Sequence, residues 1–242
     1  MLVSRHGCTV LTSLCLLLAD CGHSATGPNG NGPPLLIPVP DQQGLSGSLN
    51  AACPGGAVVT TQTLIAWGGS PASGYTWTLS SGSSFPAGTT VDPLTGIFHG
   101  TGGALVEGTH SFGMTVSDGS TTANGTFTFV AGFDNSGVCG SAVFEQSHLD
   151  QFTLPDAAAG SGYGAALYAD GDGALPWTWS LATGTLPAGL VVDQSRGVVR
   201  GTPASSAAGQ TFSFTANLVD HGGHAAACPC ATYVMRVGGT AP

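Results

Sequence analysis

The chain has 242 residues and a formal net charge of −9, and only 7% of its residues are charged. Its four basic residues are all arginines and form no basic cluster. A nucleic-acid-binding protein needs clustered cations to displace counterions from phosphates, so this composition excludes that class. It also argues against docking on anionic lipid by charge.

Residues 1–21 predict an export signal. Arg5 lies in a short basic segment, and residues 10–19 form an apolar run. Ten residues of helix reach only about 15 Å, half of a bilayer's hydrocarbon core of about 30 Å, so this run predicts no permanent span. We therefore expect an extracytoplasmic protein.

The end of this segment determines how the protein is held outside the cytoplasm. Leu18-Ala19-Asp20-Cys21 resembles the lipobox of bacterial lipoproteins, in which the cysteine becomes the lipidated first residue of the mature chain. Asp20 stands where that family has Gly, Ala or Ser. Two outcomes stay open: a lipoprotein of the outer membrane or cell surface, anchored through Cys21, or a secreted or periplasmic protein. The uncharged Gly/Pro-rich residues 22–40 then predict either a flexible tether or an end without a role.

An internal repeat dominates the rest of the chain. The segment Tyr75–Gly82 matches Trp177–Gly184, and each is followed by Pro-Ala-Gly, Val-Asp, a glycine and Gly-Thr, in that order. The offset between copies stays at 101 to 102 residues, as in Pro86 to Pro187 and Tyr75 to Trp177. Such a constant offset indicates a duplicated domain. We assign 41–132 to the first copy and 138–238 to the second.

Each copy shows the period of half-buried strands. Residues 110–116 and 212–218 alternate between apolar and polar side chains, and turn signals recur every 8–12 residues. No stretch of the mature chain has helical periodicity over 11 residues. The pattern predicts an all-β fold with two tandem β-sandwiches of immunoglobulin or cadherin type.

The repeated motifs resemble a known family. Aromatic-Thr-Trp-x-Leu, Leu-Pro-x-Gly-Leu, Asp-x-x-x-Gly and Gly-Thr-Pro, followed by an alternating strand ending in Asp, are similar to the putative Ig domain of bacterial surface proteins, which is related in fold to cadherin repeats. The second copy carries every motif, with Thr185–Leu190, Asp193 and Gly201–Pro203, whereas the first departs at residues 84–89 and at Gly102. The resemblance implies a fold and names no ligand.

Several of these residues are assigned to the scaffold. Since side chains alternate along a strand, Tyr75, Trp77 and Leu79 share one face, as do Trp177, Trp179 and Leu181. The central residue of each set, Trp77 or Trp179, resembles the buried strand-C tryptophan of immunoglobulin sandwiches. Asp92 to Gly96 and Asp193 to Gly197 predict hairpin turns in which the aspartate binds local amides and the glycine supplies a positive φ.

Cysteines of an exported protein are expected to pair. The candidates are Cys53, Cys139, Cys228 and Cys230, which allow three connectivities. In a sandwich of this kind, the entry end and the last hairpin tip lie at the same pole. We therefore expect Cys139 to bond Cys228 or Cys230, while Cys53 has no obvious partner.

Two segments carry candidate metal ligands. His221 and His224 precede Cys228-Pro-Cys230 and could hold zinc or copper, although an oxidising compartment favours a disulfide beside solvated histidines. Asp170 and Asp172 alternate with glycine at calcium-like spacing, without a third carboxylate, so that a polar turn is the simpler interpretation.

Trp67 and Tyr168 are the candidate ligand-facing aromatics. If their neighbours at 64, 66, 167 and 169 point inward, these two rings fall on the outer face, where they could stack on a sugar or anchor a protein. The alternative is that they lie under a loop or at the domain junction.

The sequence contains none of the common catalytic motifs, so we expect no enzyme. It predicts an extracytoplasmic adhesive, binding or spacer module with an unidentified protein or glycan partner, no required cofactor, and membrane contact only through a lipid. The alternative is a metal- or small-ligand-binding protein that uses residues 221–230.

Overall fold

The computed structural model describes residues 35–37, 58–101, 108–131, 151–171, 174–226 and 231–240. These ranges consist of β-strands, turns and one 3₁₀ turn at Ser205–Ala207, with no α-helix among them. No helix within them has the length and apolar character that crossing a membrane requires. The predicted all-β class is confirmed.

The strands fall into two sets that correspond to the sequence repeats. The first repeat contributes β1 to β6, at Val58–Thr63, Thr76–Leu79, Thr89–Val91, Ile97–Thr101, Gly108–Ser117 and Thr122–Ala131. The second repeat contributes β7 to β15, at Gln151–Thr153, Ala157–Ala159, Tyr163–Ala166, Asp170–Gly171, Thr178–Gly184, Leu190–Asp193, Val198–Gly201, Thr211–Val219 and Thr232–Thr240.

Corresponding strands pair in the same way in both repeats. One sheet has the order β2-β5-β6 in the first repeat and β11-β14-β15 in the second, where β7 and β8 add parallel partners to β15. The other sheet contains β1-β4-β3 and its counterpart β9-β13-β12. The duplication therefore extends from the sequence to the strand topology.

The core of each repeat is built around its strand-C tryptophan. Trp77 and Trp179 are 3% and 1% exposed, and the alternating residues of β5 put Phe112, Met114 and Val116 on the buried face. Burying an aromatic side chain contributes roughly 1.5–3 kcal/mol, a large share of a small domain's net stability. Leu181 is an exception to the predicted buried face, because it is 42% exposed where the pairing of β11 with β14 shifts register.

The predicted hairpin turns are confirmed. Asp193 Oδ1 accepts hydrogen bonds from the backbone amides of Ser195 and Arg196 at 3.1 and 3.2 Å, and Gly197 has a φ of +63°. Asp92 binds its own turn in the same way, ahead of Gly96 at φ +70°. Both glycines lie against the tryptophan of strand C, so the turn and the core support each other.

The two repeats pair with each other through β1 and the residues after it in the first repeat and through β9 and β10 in the second. Residues 61–68 run antiparallel to residues 164–171, with Thr61 opposite Gly171 and Trp67 opposite Ala165. The Ala166 amide donates to the Ala66 carbonyl at 2.9 Å, and the Gly68 amide donates to the Gly164 carbonyl at 2.8 Å. Residues 163–171 thus pair with the first repeat through β10 and Ala165, and with β13 of the second repeat through β9.

Side chains reinforce this junction. Gln62 Nε2 donates to the Tyr168 hydroxyl at 3.0 Å, and both side chains are buried. Arg200 forms an ion pair with Asp193 at 3.0 Å and donates through Nη1 to the Ala72 carbonyl of the first repeat at 2.6 Å. Arg196 donates to the neighbouring Ser73 carbonyl. Two of the chain's four cations therefore hold the turn of one repeat against a loop of the other.

Candidate functional site

Trp67 and Tyr168 do not face solvent, so the expectation that their rings lie on the outer face is wrong, and the alternative placement at the domain junction is the one observed. They are 6% and 2% exposed, because both lie on the paired segments of the inter-repeat junction. Tyr168 accepts from Gln62 at its hydroxyl and from the Tyr233 hydroxyl at its carbonyl, the latter at 3.4 Å. Trp67 Nε1 is buried and has no hydrogen-bond partner among the described residues. These aromatics hold the junction together.

The tip between β14 and β15 displays the two candidate histidines. His221 and His224 are both exposed, and His224 Nδ1 lies 3.1 Å from Asp220 Oδ2. The described ranges contain no group of three His, Cys, Asp or Glu side chains able to hold a metal. Cys228 and Cys230 lie outside those ranges, so a metal site at this tip stays a prediction.

The side chains of the remaining candidate calcium, lipidation and disulfide residues are not among those that the structure describes. Asp170 belongs to β10, whose side chains are not described, and Asp172 lies outside the described residues. The lipidation candidate and the two other paired-cysteine candidates also lie outside them: Cys21, Cys53 and Cys139. The calcium, lipid and disulfide interpretations therefore stay predictions.

Asp118 and Asp220 have a structural role that was not predicted from the sequence. Asp118 directly follows β5 and accepts hydrogen bonds from the backbone amides of Ser70 at 2.9 Å, Ser120 at 2.9 Å and Thr121 at 2.7 Å. Asp220 accepts the amides of Ala174 and His224 at 3.2 and 2.7 Å. Each carboxylate thus joins the loop before the tryptophan-bearing strand, β2 or β11, to the tip after the alternating strand, β5 or β14. The signal was present in the sequence, since both repeats end their alternating strand in Asp.

Acid should weaken the hydrogen bonds by which the Asp118 carboxylate joins the two loops. Burial of the Asp118 carboxyl opposes its ionisation, but the amides of Thr121, Ser70 and Ser120 outweigh burial and hold its pKa below the ordinary value. The unfolded chain therefore takes up this proton first as the pH falls. The stabilisation is complete above the unfolded pKa of about 3.9 and is lost as the pH falls through the lower folded value.

We expect the Asp118→Asn variant to show a shallower fall in unfolding free energy than the wild type between pH 5 and pH 2. Urea denaturation at a series of pH values measures this slope. Equal slopes in the two proteins would mean that Asp118 makes no such contribution.

The outer face of the β2-β5-β6 sheet is lined by hydroxyl and amide side chains. From β5 and β6 it presents the side chains of Ser111, Thr115, Asn124, Thr126 and Thr128, with Gly113 among them, and we call this surface the hydroxyl face. Phe112, Met114 and Phe127, which alternate with them, are buried. The face therefore follows directly from the period of the strands.

An open groove of about 890 Å³ crosses the hydroxyl face. Residues 80–83 fold over the middle of β5, where the Gly113 amide donates to Ser83 Oγ at 2.6 Å, and they form one wall of the groove. Ser80 Oγ lies 3.0 Å from Thr115 Oγ1, which donates to Asn124 Oδ1 at 2.6 Å. The groove carries no charged side chain, so its chemistry is that of neutral hydrogen bonding.

The chain resembles several solved structures at low similarity. An endo-fucoidan hydrolase of glycoside hydrolase family 107, MfFcnA4, matches with 22% identity and a TM-score of 0.35, covering 79% of this chain and 27% of the hydrolase. Cadherin domains 1–5 of protocadherin gamma B2 match with 16% identity and a TM-score of 0.31, covering 79% of this chain and 38% of the other. The chain thus spans about a quarter of that hydrolase.

A third structure and a family model complete the comparisons. The first two cadherin domains of human protocadherin-24 match with 17% identity and a TM-score of 0.25, covering 67% of this chain and 81% of the other. No curated protein sequence matches the chain. The family model described as "Putative Ig domain" matches residues 37–132 and 147–226, which are most of the chain. With its duplicated sandwich and repeated turn motifs, the chain belongs to the Putative Ig domain family, in two tandem copies.

Proposed function

We propose that this protein is an exported, non-catalytic module that holds two Ig-like repeats outside the cytoplasm, as a spacer and as a platform for a protein or glycan partner. The export segment and the tether at residues 22–40 support this location. Cys21 supports an anchor in the outer membrane or cell surface, and secretion is the other outcome.

The strand-to-strand junction is the observation that carries this proposal. A spacer must keep its domains in a fixed relation, and tandem domains joined only by a linker are expected to move against each other. Backbone pairing at residues 61–68 and the buried bond between Gln62 and Tyr168 supply that fixed relation. The hydroxyl face is left open to solvent on the outer side of the first repeat.

The described side chains support a non-catalytic role. The closest approach to an acid–base pair is His224 beside Asp220 on the exposed tip, and that aspartate already binds two backbone amides. No groove residue carries a carboxylate, imidazole or thiol that could act as nucleophile or base. We therefore assign the exposed faces to binding.

A partner screen tests the binding role. We expect the mature chain in solution to bind a glycan on an array or, when it is immobilised through its tether end, to retain a partner from surface extracts. A matched protein unfolded by acid serves as the control for nonspecific adhesion. Retention by neither screen would remove the binding role and leave only the spacer.

Radiolabelled palmitate tests the anchor. If Cys21 is acylated, the label enters the wild type and is lost in the Cys21→Ala variant. Label in neither protein, with the wild type recovered in the medium or periplasm, would replace the anchor with secretion.

A further inference from the structure

We infer that the groove on the hydroxyl face of the first repeat binds a neutral polysaccharide through side-chain hydroxyl groups. This inference rests on the proposed binding role and names its site and ligand class. The groove of about 890 Å³ lies within the range of about 300–1,000 Å³ that small-ligand sites occupy. It is open to solvent, so a chain can pass along it without threading its ends.

The arrangement of polar groups matches a polyhydroxyl ligand. Cross-strand register places Ser111 opposite Thr128, Gly113 opposite Thr126, and Thr115 opposite Asn124. Ser111 Oγ lies 2.8 Å from Thr128 Oγ1, and Thr115 Oγ1 donates to Asn124 Oδ1 at 2.6 Å, while Thr126 lies opposite a residue without a side chain. These cross-strand rows repeat about every 6.8 Å along the strands. Each hydroxyl both donates and accepts, as sugar hydroxyls do, so either partner can supply the hydrogen at each contact.

Gly113 allows the groove wall to pack against the sheet. It has no side chain, and a Cβ placed there would lie 3.2 Å from Ser80 Cβ and 3.5 Å from Ser83 Oγ. The absence of this side chain lets residues 80–83 lie close over β5, so that the wall borders the polar groups of β5 and β6.

Charge selects a neutral ligand. The chain carries a formal charge of −9, which repels a polyanion, and the groove offers no carboxylate to attract a polycation. A protein partner is disfavoured by a different property. Protein interfaces are anchored by tryptophan, tyrosine or arginine in a desolvated centre, and the hydroxyl face presents none of these residues.

The second repeat supplies an internal comparison. On its corresponding sheet, Arg236 and Val234 of β15 alternate with the buried residues Tyr233, Met235 and Val237 and occupy the outer face. The fold therefore does not require an uncharged face of hydroxyl groups, because β15 of the second repeat, which corresponds to β6 of the first, carries a cation and a valine on this side.

The test is affinity electrophoresis of the full chain in gels that contain a neutral polysaccharide, with dextran, laminarin and galactomannan as separate probes. We expect at least one of these to retard the wild type, and dextran sulfate to have no such effect. The double variant Ser111→Ala, Thr126→Val removes two exposed hydroxyls from the groove. It should bind about tenfold more weakly, as expected for the loss of two ordinary hydrogen bonds.

The matched control is Thr90→Val with Thr211→Val, which removes hydroxyls from exposed strand positions outside the groove. We expect it to bind like the wild type, and both double variants to keep the wild-type melting temperature. Equal retardation of both variants by the same sugar would place binding elsewhere on the chain and overturn this inference.

Failure of the inference and failure of the proposed function are distinguishable. If the partner screen retains a protein or only a sulfated glycan, the binding role stands and the neutral-polysaccharide site is wrong. If neither the screen nor any gel detects a ligand, the binding role itself fails.

Discussion

Replacing Gly197 with alanine should lower the unfolding free energy by about 2–5 kcal/mol. Gly197 has a φ of +63°, a conformation that costs an ordinary residue about 1–2 kcal/mol. A Cβ there would also lie 2.6 Å from the Trp179 indole, and overpacking of this kind costs about 1–3 kcal/mol more. Urea denaturation of the wild type and the variant measures the total loss of unfolding free energy.

Gly209→Ala is the matched control for this prediction. Gly209 has a similar φ of +77°, but a Cβ there would meet nothing within 4 Å. Only the backbone cost applies, so we expect a loss of about 1–2 kcal/mol. If both variants lost the same stability, the turn glycine would not be packed against the tryptophan as described.

A methyl group on Gly164 should disrupt the junction between the repeats. Its Cβ would overlap Pro71 of the first repeat and lie 2.6 Å from the Tyr75 hydroxyl, which donates to the Gly68 carbonyl at 2.7 Å. Because the rigid pyrrolidine ring of Pro71 and the buried hydroxyl of Tyr75 meet there, we expect Gly164→Ala to cost about 1–3 kcal/mol.

Gly239→Ala controls for the glycine-to-alanine change itself. Gly239 also lies in a strand of the second repeat, and a Cβ there meets nothing within 4 Å. We expect a change within about 0.5 kcal/mol. A Gly164→Ala variant as stable as Gly239→Ala would indicate that the repeats do not touch at Pro71 and Tyr75.

Local patterns in the sequence were sufficient for the scaffold of each repeat. The burial of Trp77 and Trp179 and the turns at Asp92 and Asp193 depend on side-chain alternation and turn chemistry, which a short window of residues contains. Duplication made these predictions stronger, because each motif recurred at a constant offset.

The junction could not be predicted by the same reasoning. Strand alternation assigned Trp67 and Tyr168 to an outer face, but the segments that carry them are buried on both sides. Their burial depends on pairing between residues that are 106 apart in the chain, such as Gln62 and Tyr168. No local pattern contains that contact.

The hydroxyl face could be predicted from the sequence only in part. Its polar residues can be found from the alternation of β5 and β6, whose buried neighbours are Phe112 and Phe127. The groove also depends on residues 80–83 folding back over Gly113, a tertiary contact. The sequence therefore contained the chemistry of the face and not its shape.

Native-state hydrogen exchange measures the junction most directly. The amides of Thr63, Gly68 and Ala166 donate across it, at 2.9, 2.8 and 2.9 Å. In the same segments, the amides of Leu64 and Leu167 donate within their own repeats. We expect all five to show comparable protection. Rapid exchange at Thr63, Gly68 and Ala166, with Leu64 and Leu167 still protected, would show that the repeats do not share a sheet.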